Sequence, residues 1–143
     1  MGLHDDARDV TGADRGRVAA RLGAGSFALL GTGFGIGAAW AVAHLERTGE
    51  LPMTPFGFRA LDGLFLQLGT RWASFLGAAL AGVCALLVLA AVWLWRGERR
   101  GLRLGAAMTA PALVLGTGFA LPFLLIGLPV GLVLALAGRR SLR

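Results

Sequence analysis

Hydrophobic positions along this chain gather into three stretches without a charged residue, 22–43, 72–95 and 104–138, and the charged residues fall between and beside them. An α-helix rises 1.5 Å per residue, so about 20 apolar residues cross the ~30 Å hydrocarbon core of a bilayer. The first two stretches, 22 and 24 residues long, each fit one crossing. The third has 35 residues. As one straight helix it would run about 52 Å, more than a tilt of roughly 0–40° accommodates. Pro122 lies near its midpoint. Proline removes a backbone donor and drives the preceding residue out of helical geometry, so a break at Leu121–Pro122 is predicted. The pattern therefore predicts crossings at about 22–43, 72–95, 104–119 and 123–138. The last two form either two full spans or a re-entrant hairpin. Pro111 and Pro129 fall inside them and predict kinks of the kind membrane helices tolerate.

Arginine placement sets an orientation. Four arginines precede the first stretch (Arg8, Arg15, Arg17, Arg21) and four lie in the short loop 96–103. Three more end the chain (Arg139, Arg140, Arg143), whereas Arg47, Arg59 and Arg71 are spread over 44–71. Basic residues are retained on the cytoplasmic side. Four spans with both termini cytoplasmic put eleven arginines inside and three outside, whereas three spans would divide them eight to six. Trp40, Trp72, Trp93 and Trp95 all fall near span ends, where an amphipathic ring suits the headgroup level. Ala41-Val42-Ala43 resembles a small-residue cleavage site, but an apolar run of 22 residues exceeds the ~7–15 of a signal peptide. The expected division is a cytoplasmic tail 1–21 with a short helix near 14–21, a four-span domain 22–138 with outer loop 44–71, and a cytoplasmic tail 139–143.

The outer loop has a pattern of its own. Thr48-Gly49 predicts a turn, and Thr54-Pro55 reads as an N-cap with proline at the first helical position. Phe58, Leu61, Leu64, Phe65 and Leu68 follow at helical spacing, with Arg59 and Asp62 three apart on another side and Gly69 as a stop. A short amphipathic helix on the outer surface is predicted, covering the end of the bundle. The fold class is all-α, an integral membrane four-helix bundle with this interfacial helix in its first outer loop.

Composition agrees. Mean hydropathy is +0.70 and 56% of residues are hydrophobic, above the usual range for a soluble domain. The net charge of +6 comes from 14 arginines and no lysine, a bias that GC-rich bacterial coding explains. Because those arginines bracket the apolar stretches, nucleic acid is not an expected partner. Cys84 is the sole cysteine, so no intrachain disulfide forms; in mid-span it reads as a small apolar packing residue.

Candidate chemistry is sparse. Gly31 and Gly35, and likewise Gly33 and Gly37, form overlapping GxxxG patterns that allow helix backbones to approach closely. They are expected to pack helices, within the bundle rather than between copies. Ile36 occupies the third glycine of a GxGxxG, which excludes a nucleotide fingerprint. No ionisable residue lies within the spans, and Ser26, Ser74 and Ser141 have no base nearby in sequence. His44 and Glu46 at the end of span one, with Arg59 and Asp62 of the loop, are the remaining outer-loop candidates; the histidine reads as a solvated boundary residue. No catalytic, cofactor-binding or metal-ligating set is expected.

The second span ends in Trp93-Leu94-Trp95-Arg96-Gly97, followed by Arg99 to Arg103 and a small-residue third span. With four helices and a longer first outer loop, this plan resembles the DoxX-like family of small bacterial membrane proteins. The resemblance implies a four-helix membrane fold and a redox or quinone-linked role. The acidic residue such families often carry in the second span is missing here, with Cys84 in that neighbourhood. The chain is expected to be a non-catalytic accessory or scaffold component of the bacterial plasma membrane. Its expected partners are lipid and another membrane protein or a second copy. The alternative is a small-molecule handler, either a quinone-linked accessory subunit or a minimal transporter.

Overall fold

The computed structural model describes residues 3–53, 59 and 63–142. Four helices pack together: α1 (Leu3–Thr48), α2 (Thr70–Trp95), α3 (Arg99–Gly118) and α4 (Pro122–Ala137). Two of them, α1 and α2, are long and apolar enough to cross a membrane.

The chain runs up and down around a closed ring. The α1–α2 pair crosses where a Cβ placed on Gly31 would stand 2.8 Å from the Cys84 carbonyl oxygen. Next, α2 and α3 meet at Gly101, beside the Ala90 carbonyl and the Leu94 amide. The α3–α4 hairpin closes with Gly116 against Leu124. Finally α4 returns along α1, with Gly23 against Gly131 and Ala135, and Gly138 against Gly16 and Ala20. At nearly every seam a glycine takes the backbone of its neighbour. The core between the seams holds Phe27, Leu80, Cys84, Leu87, Leu94, Phe119, Leu124 and Leu128, all fully buried.

Helix boundaries follow local chemistry. Gly49 ends α1 in a left-handed conformation (φ 74°), its amide donating to the Leu45 carbonyl, a common helix stop. Gly97 (φ 79°) turns the chain between α2 and α3. The 35-residue apolar stretch breaks where proline dictates: α3 ends at Gly118 and Pro122 opens α4. Ala120 occupies that turn with φ 51°.

Three expectations need correction. Helix near the N-terminus is not confined to 14–21; α1 is continuous from Leu3. No proline interrupts it, and the C-terminal segment docks along it at Gly16 and Ala20. The basic loop 96–103 is shorter than it reads, because Arg99, Arg100 and Arg103 belong to the first turns of α3. The outer-loop helix is not α-helical where it is described: Leu64–Leu68 is a 3-10 helix, preceded by an isolated antiparallel bridge between Met53 and Arg59. Thr54, Pro55, Phe58, Leu61 and Asp62, on which the rest of that expectation stood, lie outside the described residues. Phe65 of the 3-10 helix sits over Gly118, where a Cβ would collide with its ring, and meets Phe119 edge-on at 5.1 Å.

Candidate functional site

The overlapping GxxxG patterns of α1 separate into two faces. Residues two apart on a helix point about 160° away from each other in projection, so the two pairs cannot share a seam. Gly31 and Gly35 face α2: a Cβ on Gly31 would come within 2.9 Å of Val88 Cγ2, and one on Gly35 within 3.0 Å of Cys84 Cβ. Gly33 and Gly37 have nothing within 4 Å. They open outward among Leu29, Ile36 and Trp40, which are 76%, 66% and 52% exposed.

Across the ring, Ser26 Oγ donates to the Gly127 carbonyl at 3.1 Å, a hydrogen bond between α1 and α4. Gly131 leaves room for it, since a Cβ there would stand 2.8 Å from Ser26 Oγ. Within α3, buried Thr109 donates to the Gly105 carbonyl at 2.7 Å. Among the described residues, no buried side-chain nitrogen or oxygen lacks a hydrogen-bond partner.

At the end carrying the Gly49–Gly69 segment, the outer-loop candidates divide. His44 is half-buried and lies 5.9 Å from the Trp40 ring; its carbonyl accepts from Thr48 Oγ1 at 2.9 Å. Glu46 is exposed. Neither lines the depression of about 430 Å³ at that end, where Arg59 instead faces Glu50, Leu45, Met53 and Thr70. Asp62 lies outside the described residues. Among the described residues no group of three or more His, Cys, Asp or Glu side chains is placed to hold a metal ion.

The opposite end is dominated by guanidinium groups, brought together because every neighbouring pair of helices is antiparallel. One depression of about 420 Å³ lies between α1, the end of α2 and the C-terminal segment, lined by Arg17, Arg21, Trp95, Arg96 and Ser141. Two of its cations are engaged: Arg17 pairs with Asp14 at 3.3 Å, and the Arg21 guanidinium stands 5.6 Å from the Trp95 ring centroid. A second depression of about 400 Å³ lies between the start of α3 and the end of α4, lined by Arg99, Leu102, Arg103, Arg139 and Arg140. Arg99 Nε donates to the Leu142 carbonyl at 3.2 Å, tying the C-terminal segment to α3. Sequence reasoning used these arginines only for orientation. The overlooked signal was the hairpin itself: a break at Pro122 brings the residues flanking 104–138 side by side. No described protein family, curated protein or solved structure matches the chain, and its own residues are what its function must be read from.

Proposed function

We propose that this chain is an integral protein of the bacterial plasma membrane, crossing the bilayer four times with both termini cytoplasmic. We further propose that it serves there as a non-catalytic accessory or scaffold component. One observation carries the membrane reading: large apolar side chains stand exposed on all four helices, while many of the buried positions are alanine. Leu29 and Ile36 on α1, Phe75 on α2, Val114 on α3, and Phe123, Ile126 and Val133 on α4 are each 64–77% exposed. The buried positions include Ala20, Ala24, Ala38, Ala41, Ala73, Ala90, Ala112 and Ala135, interleaved with the seam glycines. In water an apolar girdle on all four helices would drive aggregation. In lipid it costs nothing, and small residues at the seams let dispersion forces hold the helices.

The polar ends fit the same frame. Trp40, Trp72 and Trp95 point outward near helix ends, and arginines crowd one end of the bundle. The shortest helix, α4, rises about 24 Å, a mismatch that local thinning and snorkelling of flanking arginines absorb. The outward Gly33–Gly37 face supports the scaffold reading, because a second membrane helix can approach the backbone there.

Two measurements test the topology. A cytoplasmic reporter fused after Arg143 is expected to be active and an exterior-dependent one silent, with the reverse for fusions at Gly49. The chain should also stay with the membrane pellet through alkaline carbonate. Release by carbonate, or an exterior C-terminus, overturns the arrangement.

A further inference from the structure

We infer that the depression between α3 and α4 binds the phosphate of an anionic phospholipid headgroup, with Arg99, Arg103, Arg139 and Arg140 as its recognition groups. The inference rests on the membrane reading above and adds a ligand to it. Four guanidinium groups from two separate elements line a single depression of about 400 Å³ together with Leu102, and among the described residues no carboxylate lines it. Among the described residues the only salt bridge is Arg17–Asp14, on the far side of the C-terminal segment. Among the described residues, the single hydrogen bond made by these four side chains is Arg99 Nε to the Leu142 carbonyl, which leaves the terminal nitrogens of Arg99 and the other three groups without a described partner. Like charges held this close repel one another, and a shared anion relieves that cost. Arginine is suited to it, because its planar fork meets phosphate oxygens with two parallel hydrogen bonds. The positive end of the 20-residue helix α3 also faces this level.

The other arginine-lined depression is the weaker candidate. Its Arg17 is held by Asp14 and its Arg21 by the Trp95 ring. A lipid is favoured over free phosphate by what borders the cations. Leu102 forms part of the wall, and Val133 and Leu136, in the last turn and a half of α4, are 64% and 42% exposed. An acyl chain has an apolar track leading away from the headgroup; a free phosphate gains nothing from it.

The test uses the full chain purified in mild detergent, with bound lipid counted by native mass spectrometry during titration with phosphatidylglycerol or phosphatidylcholine. Phosphatidylglycerol is expected to be retained selectively. A guanidinium close to an anionic headgroup contributes roughly fivefold in affinity, so Arg103→Gln or Arg139→Gln alone should weaken retention about fivefold and the pair by more than tenfold. The matched control, Arg17→Gln with Arg21→Gln, removes the same charge from the other depression and should leave retention near wild type. Equal loss in both pairs, or no preference for phosphatidylglycerol in the wild type, overturns the site. Displacement of the lipid by millimolar inorganic phosphate overturns the choice of lipid as occupant. Should the double variant fail to insert, the two single variants decide. Carbonate extraction of the same membranes keeps the two readings apart. A released chain overturns the membrane reading, whereas an embedded chain without lipid selectivity overturns only the site.

Discussion

Gly31 and Gly33 are two positions apart and have opposite duties. A side chain at Gly31 would have to displace the Cys84 carbonyl or Val88, both of them parts of α2. Gly31→Leu is therefore expected to cost about 1–3 kcal/mol or more through overpacking, read as a lower unfolding temperature in detergent. Gly33→Leu meets open space and should change that temperature little, within about 0.5 kcal/mol. If the outer face of α1 receives a partner helix, Gly33→Leu will instead abolish co-purification or cross-linking of that partner. Under the proposed membrane arrangement, Ser26→Ala removes the hydrogen bond to the Gly127 carbonyl and should cost about 0.6 kcal/mol, the average for such bonds between membrane helices. The sequence displayed both glycine pairs plainly. It could not say which one was buried, because that depends on where α2 lies.

The α3–α4 hairpin was the most legible element, since Pro122 imposes its own geometry whatever surrounds it. Its turn is also the most strained point among the described non-glycine residues: Ala120 has φ 51°, a conformation that costs an L-residue about 1–2 kcal/mol. Ala120→Gly relieves that strain at a smaller backbone-entropy cost and is expected to raise the unfolding temperature, by about 1 kcal/mol at most. The segment that covers this end was less legible. Leu64, Phe65 and Leu68 are spaced three and four apart, and such spacing cannot separate an α-helix from a 3-10 helix over five residues. What holds the segment is non-local: Phe65 over Gly118 and edge-on to Phe119. Gly118→Val should evict that ring, making the 49–69 segment more sensitive to protease while α2 and α4 stay intact. The N-terminal reach of α1 was hidden for the same reason. Gly12 and Gly16 argue locally against helix, and the segment that docks on Gly16 comes from the other end of the chain.

Taken as one body, the bundle turns three of its four indoles toward its surroundings at two levels, with Trp40 and Trp72 at one end and Trp95 at the other. In a four-span orientation, lipids brominated near the headgroup should quench tryptophan emission more strongly than lipids brominated at the chain terminus. The opposite order would place the indoles at mid-bilayer and contradict the proposed depth. The four-helix architecture was visible in the sequence because each apolar stretch is long enough for a helix and proline divides the longest one. The cationic depression was not visible, since its four arginines lie nearly 40 positions apart along the chain and only the packing of α3 against α4 makes them neighbours.

Closure of the ring through α1 and α4 bears on how the protein is made. The first helix leaves the ribosome long before the fourth, yet its face at Gly23, Ser26 and Phe27 is completed only by Gly127, Gly131 and Ala135. Under the proposed membrane arrangement that face would wait during synthesis, covered by lipid or by an insertion chaperone, while α2 and α3 are delivered. A nascent chain arrested before Pro122 would display the same bare strip, which makes the unfinished protein the form most exposed to mistaken pairing with other apolar helices.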